Sequence, residues 1–195
     1  MQRKAIFFDR DGTINVEKHY LYKIEDFEYL QGAKEGLKLL QDAGYLLVII
    51  TNQSGIAKGF YTEEDFKKLN VWMLNDLAAD RIDIAACYYC PHHPDALIEK
   101  YRKDCSCRKP GVKLFMQAVR ALHIDLEGSY AVGDKMRDLE ICKRSAVKGF
   151  LLYSNSKEGK QADEMNIKRI QGGILEAAED IQKENEHAAL DKGQY

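Results

Sequence analysis

At 195 residues, with 45% hydrophobic and 31% charged side chains, the chain is long enough to bury a sizeable core and reads as one globular unit. Its 29 basic and 31 acidic residues leave a formal charge of −2, which argues against a general attraction to nucleic acid or to an anionic membrane surface. No stretch approaches the ~20 apolar residues of a membrane span, and the run after Met1-Gln2-Arg3-Lys4 is cut by Asp9 before it can form a signal-peptide core of ~7–15 residues. Five cysteines cannot all pair, so the expected setting is a reducing one. The resulting expectation is a cytoplasmic monomer with no nucleic-acid or membrane partner.

In chain order, the first predicted element is a strand over Lys4–Asp9, which delivers Asp9 and Asp11 into the turn Gly12-Thr13. A long connection, 12–32, follows and carries Glu17, Lys18, His19 and Tyr20. Ala33, Gly36, Leu37, Leu40 and Ala43 recur at helical spacing and stop at Gly44. A second strand, Tyr45–Thr51, runs into Thr51-Asn52-Gln53-Ser54-Gly55. Thr62 and Asp65 resemble a capping box opening a helix through Phe66, Leu69, Met73 and Leu77. A third strand, Ile82–Cys90, leads into a second long loop, 91–109, that holds most of the cysteine and histidine.

Beyond that loop, Pro110-Gly111 enters a helix marked by Val112, Phe115, Ala118, Val119 and Leu122. A strand over Ser129–Asp134, a helix from near Asp138 through Leu139 and Cys142 to Gly149, and a strand over Lys148–Tyr153 complete the alternation. The tail after Ser154 reads as helical and charged, notably over Glu176–Glu186. Residues 1–187 are thus expected to form one domain, and 188–195 a frayed tail.

Strands alternating with helices imply right-handed crossovers and an α/β fold, a Rossmann-like parallel sheet with helices on both faces. Sites in such sheets form beyond the carboxyl ends of the strands, where Asp9, Thr51 and Asp134 all fall. Two carboxylates held close together cannot both ionise without cost, so one is expected to stay an anion while the other carries a proton. Asp9 is then the candidate nucleophile on phosphorus, and Asp11 the candidate proton donor to the leaving alcohol and acceptor from water.

An anion attacking a phosphate needs its repulsion removed. Mg2+, which favours one or two carboxylates plus phosphate oxygens, suits Asp9 with Asp134. Thr51 and Lys109 offer a hydroxyl and a cation to the transferring group, and Asp138 is a candidate either for holding a metal-bound water or for orienting Lys109. Asp-x-Asp-Gly alone is often just a turn; it is the ordered set at successive strand ends that points to phosphoryl transfer.

Cys90-Pro91-His92-His93 and Cys105-Ser106-Cys107 offer three thiolates and an imidazole, a donor set for tetrahedral, structural Zn2+ with no open position. Spacing alone leaves His92 and His93 both open. The segment 94–104 is polar and has little with which to build a core, so a metal cross-link is the expected source of its order.

Asp9-Arg10-Asp11-Gly12-Thr13, Thr51-Asn52-Gln53-Ser54-Gly55, Lys109, and Gly133-Asp134 with Asp138 resemble the four ordered motifs of the haloacid-dehalogenase-type phosphatases, over the chain to about residue 155. More narrowly, Cys90-Pro91-His92-His93-Pro94 with Cys105-Ser106-Cys107-Arg108-Lys109-Pro110 resembles the zinc-loop branch that acts on a heptose bisphosphate in bacterial nucleotide-heptose synthesis. That resemblance implies Asp9 as nucleophile and Mg2+ ligand, and Asp134 as the other metal carboxylate. Asp11 becomes the general acid/base, with its backbone carbonyl on Mg2+. It implies Cys90, His92, Cys105 and Cys107 as Zn2+ ligands, Thr51 and Lys109 as supports of the phosphoryl group, and Arg108 as the residue recognising a sugar bisphosphate. Further substrate contacts would come from Glu17, Lys18, His19, Tyr20, Asn52, Gln53, Ser54 and Lys135.

Members of this branch lack a large cap domain, in keeping with short spans between the motifs here. Histidinol-phosphate phosphatase is the nearest rival, but Arg108 beside Lys109 suits a second anionic group better than a cationic amine. A polynucleotide 3′-phosphatase needs a basic track with stacking aromatics, and a non-catalytic zinc module would keep the pocket for recognition only.

Overall fold

The computed structural model describes residues 3–153 and 156–192. Its sheet has six parallel strands: β1 (Arg3–Phe8), β2 (Leu46–Asn52), β3 (Ile84–Cys90), β4 (Ile124–Gly133), β5 (Lys148–Leu152) and β6 (Lys168–Ile170), in the order β3-β2-β1-β4-β5-β6. The chain builds outward from β1 to β3 and then returns to the other side of β1 to lay down β4. The crevice between β1 and β4 is therefore the topological switch point where such sheets bind ligands. Phe8 is level with Ile49 on one side and Val132 on the other, which sets Asp9, Thr51 and Asp134 along one rim.

Strand alternation feeds two cores. Ile6, Phe8, Leu47, Ile49 and Val132 face α1 (Ala33–Asp42), α3 (Glu63–Ala79) and α6 (Ile174–Lys192). Ala5, Phe7, Val48, Ile50 and Ala131 face α4 (Lys113–Leu122) and α5 (Ser156–Glu164). At ~25 cal/mol per Å2 of apolar area, each fully buried Phe or Ile adds about 1.5–3 kcal/mol, so both faces of the sheet are clamped. The Thr62–Asp65 capping box forms as predicted, with Asp65 N–H donating to Thr62 Oγ1 at 3.1 Å and Thr62 N–H to Asp65 Oδ2 at 2.9 Å.

The structure departs from the sequence expectations at four places. A one-turn helix, α2 (Ser54–Ala57), follows β2, where no element was predicted. The predicted helix from Asp138 is instead an eight-residue 3-10 helix over Met136–Lys143, because Asp138 reaches back to accept from the Lys135 N–H at 3.1 Å and so fixes an earlier start. The helical tail is broken by the short edge strand β6. α6 continues to Lys192, and residues 193–195 of the expected frayed tail lie outside the described residues.

Finally, the loop 91–109 has more of a core than its composition promised. Ala96 and Tyr101 are buried with Ile56, Ala57, Tyr61 and Phe66, and the hydroxyls of Tyr89 and Tyr101 both donate to Glu63, at 2.5 and 2.6 Å. Among the described residues no helix is long and apolar enough to cross a membrane.

Candidate active site

β1 ends by turning Asp9 into a buried position, its backbone N–H held by the Val132 carbonyl at 3.1 Å. Lys109 reaches the same point from the end of the 91–109 loop and is 2% exposed. Its ammonium lies 2.7 Å from Asp9 Oδ1, 2.8 Å from Asp138 Oδ1 and 2.6 Å from the Ile50 carbonyl oxygen. Asn52 fixes the lysine backbone reciprocally, accepting from Lys109 N–H at 3.0 Å and donating to its carbonyl at 3.1 Å. The Lys109–Pro110 peptide bond is cis.

Burial raises the pKa of Asp9 from the usual carboxylate range to about 6, against the pull of Lys109 and with help from Asp138 and Asp11. Burial works against the charge of Lys109, but Asp138 and Asp9 outweigh it and hold its pKa above the ordinary value. Asp134 is likewise raised, by burial and then by Asp9, with Lys135 opposing at 3.0 Å.

Oxygens of Asp9, Asp134 and Asp138 lie within 4.8 Å of one another, and Asp134 Oδ1 is buried without a hydrogen-bond partner among the described residues. A hard divalent cation fits this donor set: it needs carboxylate oxygens, and it would satisfy the orphan. Gly12 makes the approach possible, since at φ +84° a Cβ there would stand 2.7 Å from Asp134 Oδ2.

The carboxylate of Asp11 points elsewhere. It accepts from Arg10 Nη2 at 2.8 and 2.9 Å, Arg10 Nε at 3.2 Å, Gln53 Nε2 at 2.9 Å and Asn15 Nδ2 at 3.1 Å. The third carboxylate of the cluster is thus Asp138, and Asp11 has only its backbone to offer an ion.

Asp9, Asp11, Glu17, His19 and Tyr20 line a cleft of about 170 Å3 together with Asn52, Gln53, Ser54, Arg108 and Lys109. Glu17 is held above its usual pKa by burial and then by Asp11, and accepts from the His19 N–H at 2.9 Å. His19 and Tyr20 both adopt positive φ, at 43° and 66°, a strained pair that turns the 12–32 loop over the cleft.

Two predicted substrate contacts, the phosphoryl support Thr51 and the metal carboxylate Asp134 fall outside this lining. Lys18 pairs with Glu28 at 3.0 Å on the surface, and Lys135 with Asp134. Gln53 is 2% exposed, and its amide, like that of Asn52, is spent within the protein: Gln53 Nε2 donates to Thr51 Oγ1 and to Asp11 Oδ2, both at 2.9 Å. Tyr61 and Arg137 join the lining although neither was singled out as a site residue, and Arg10 lies buried beside Asp11 outside it. Arg137 was detectable only as a cation one position before Asp138; Tyr61 gave no sequence signal.

The second cluster forms as predicted. Cys90 Sγ is 2.9 Å from Cys107 Sγ, Cys105 Sγ is 2.6 Å from Cys107 Sγ, and His92 Nδ1 lies 3.6 and 3.4 Å from Cys90 and Cys107. All five cysteines are free thiols, so no disulfide accounts for this convergence. His93 is half-buried and accepts from the Asp95 N–H at 3.1 Å, and it is His92 that lies with the three thiols. Arg108 follows directly, its Nη1 donating to the His92 carbonyl at 3.4 Å.

A parallel sheet with acid-lined switch point, a lysine seated among carboxylates and a soft-donor clip beside it defines a phosphatase of the haloacid-dehalogenase superfamily. The comparisons agree. The family model described as polynucleotide kinase 3 phosphatase matches residues 4–171. D-glycero-beta-D-manno-heptose-1,7-bisphosphate 7-phosphatase of Haemophilus ducreyi is 45% identical over 158 residues, 80% of this chain and 86% of that one. The enzyme of the same name from Pasteurella multocida is 41% identical, over 93% of this chain and 96% of its own. The crystal structure of D,D-heptose 1.7-bisphosphate phosphatase from B. bronchiseptica, complexed with magnesium and phosphate, superposes with a TM-score of 0.77 at 27% identity, covering 93% of this chain and 99% of that one. The chain belongs to the heptose bisphosphate phosphatase family.

Proposed function

We propose that this chain hydrolyses the 7-phosphate of D-glycero-beta-D-manno-heptose 1,7-bisphosphate through an aspartyl phosphate on Asp9. The observation that carries this reading is the seating of Lys109 against Asp9 and Asp138 at the β1/β4 crevice, in a chain whose relatives at 41% and 45% identity bear that substrate in their names. Asp9, Asp134 and the Asp11 backbone carbonyl would hold Mg2+, with Asp138 close by; when bound, the ion offsets the charge repulsion between carboxylate and phosphate. The magnesium in the B. bronchiseptica relative supports the choice of metal.

Lys109 balances charge on the phosphoryl oxygens and holds Asp9 in line. Thr51, whose Oγ1 accepts from Gln53, would donate its hydroxyl proton to the same group. Asp11 gives its proton to the departing sugar oxygen and takes one from the water that attacks the aspartyl phosphate. Arg108, whose pKa is lowered by burial and then by nearby Arg137, receives the distal phosphate, and a second anion at this pair of cations favours a bisphosphate over histidinol phosphate. Cys90, His92, Cys105 and Cys107 would hold Zn2+ as a structural clip that fixes the start of the Arg108-Lys109 segment.

The test is phosphate release from both anomers of the heptose bisphosphate, from histidinol phosphate and from a 3′-phosphorylated oligonucleotide, each with Mg2+ present or omitted. Preferred, Mg2+-dependent turnover of the beta bisphosphate is expected. A clear preference for histidinol phosphate or the oligonucleotide would overturn the substrate assignment.

A further inference from the structure

The geometry points to Arg10 as the residue that positions Asp11 for proton transfer, an inference that rests on the phosphatase reading above. Arg10 lies between the two aspartates in sequence, yet it is only 1% exposed and heads the largest fully buried side chains. Its Nη2 donates to both oxygens of Asp11, at 2.8 and 2.9 Å, and Nε adds a third bond at 3.2 Å. The guanidinium carbon is 5.5 Å from the centroid of the Phe66 ring in α3. A buried guanidinium is costly unless its charge is matched, and among the described residues Asp11 is the ion-pair partner recorded for it. A structural arginine would spend that charge on a carboxylate sealed in the core, whereas Asp11 lines the cleft.

A second hold acts on the same group. Gln53 Nε2 donates to Asp11 Oδ2 at 2.9 Å, and Gln53 is itself oriented by the Tyr61 hydroxyl, which donates to its Oε1 at 2.6 Å. The Tyr61 ring occupies the space that a Cβ on Gly55 would fill, at 2.1 Å. Residues from the end of β1, the end of β2 and the entrance to α3 therefore converge on one carboxyl group and fix its plane. A proton donor so fixed keeps its reach to the leaving oxygen through both half-reactions, and a misplacement of about 1 Å is enough to lose roughly 100-fold in rate.

In the first half-reaction an Asp9 oxygen bonds to phosphorus, the sugar O–P bond breaks, and the sugar oxygen takes the Asp11 proton. In the second, water oxygen bonds to phosphorus, its proton passes to Asp11, and the Asp9 O–P bond breaks to release phosphate. The first step needs Asp11 most when the leaving oxygen is a poor one.

The test therefore compares single-turnover release of leaving group from the heptose bisphosphate with that from p-nitrophenyl phosphate, whose phenolate departs without a proton. Arg10→Met in the Mg2+- and Zn2+-loaded enzyme is expected to slow the sugar substrate about 10- to 100-fold, leave the aryl phosphate within about threefold and leave KM within about twofold. Arg10→Lys restores charge but not the fork, and so recovers only part of the loss. Tyr61→Phe keeps the ring on Gly55 and carries the test if Arg10→Met fails to fold; it shows the same substrate selectivity at smaller size. Equal losses on both substrates, or none, overturn the assignment. Turnover retained by Asp9→Asn would overturn the phosphatase reading instead, and with it this role for Arg10.

Discussion

Replacing Lys109 by methionine removes a cation seated between two buried carboxylates, and its consequence for stability follows from the distances. The ammonium is 1% exposed and stands 2.7 Å from Asp9 and 2.8 Å from Asp138, whose side chains are 7% and 1% exposed, so solvent screens neither pair. Stripping one partner from such a buried arrangement costs roughly 3–5 kcal/mol, because the remaining charges stay uncompensated. For a chain of this size each kcal/mol moves Tm by about 2–4 °C, which makes the expected fall about 6–20 °C. The loss must also depend on pH. The folded-state pKa of Asp9, about 6, exceeds its unfolded value, so its contribution to stability is lost as pH rises from about 4 through 6. Without Lys109 to pull it down, the folded pKa climbs further and the penalty keeps growing above pH 6. Thermal melts of wild type and Lys109→Met in Mg2+-free buffer, with zinc retained, at pH 5 and pH 8 would measure this. A Tm change under about 2 °C, or the same change at both pH values, would refute the reasoning.

Other outcomes follow from the same geometry. Mg2+ must displace a proton from Asp9, so its affinity should weaken as pH falls below about 6; calorimetry in buffers of different ionisation enthalpy, showing no proton release at pH 5.5, would contradict this. Gly12→Ala forces a left-handed φ on a residue with a Cβ and pushes Asp134 aside, which should cost about 1–2 kcal/mol of stability and weaken Mg2+ binding, read from the Mg2+ dependence of phosphate release. Cys107→Ser should lose zinc by elemental analysis and raise proteolytic cleavage within 91–109, with a smaller fall in turnover than at Asp9 because Tyr101 and Ala96 still anchor the loop. Unchanged protease resistance in that variant would mean the clip contributes little order.

Much of the site was legible because its residues sit where the chain is most constrained. Asp9, Thr51 and Asp134 each end an apolar run, and a parallel sheet brings such ends together whatever lies between. The cysteine cluster was readable from donor chemistry; spacing left His92 and His93 both open, the resemblance chose His92, and the coordinates put the His93 ring on the Asp95 N–H. Side-chain partners were not legible. Asn52 and Gln53 look like substrate contacts in a polar motif, yet each amide is spent holding Lys109 or Asp11. Arg10 was invisible as a site residue, since an arginine inside a turn reads as a solvated charge until Phe66, distant in sequence, covers it. β6 escaped because three residues at a sheet edge leave no periodic trace, and the 3-10 helix because its start is set by the Asp138 side chain rather than by a hydrophobic repeat.

Acid-quenched samples taken during turnover of the heptose bisphosphate, digested and weighed by mass spectrometry, address the covalent chemistry itself. The peptide spanning β1 should carry one added phosphoryl group on Asp9 in the wild type, and none in Asp9→Asn. A phosphoryl group on any other residue, or steady hydrolysis by Asp9→Asn with no labelled peptide, would contradict the account.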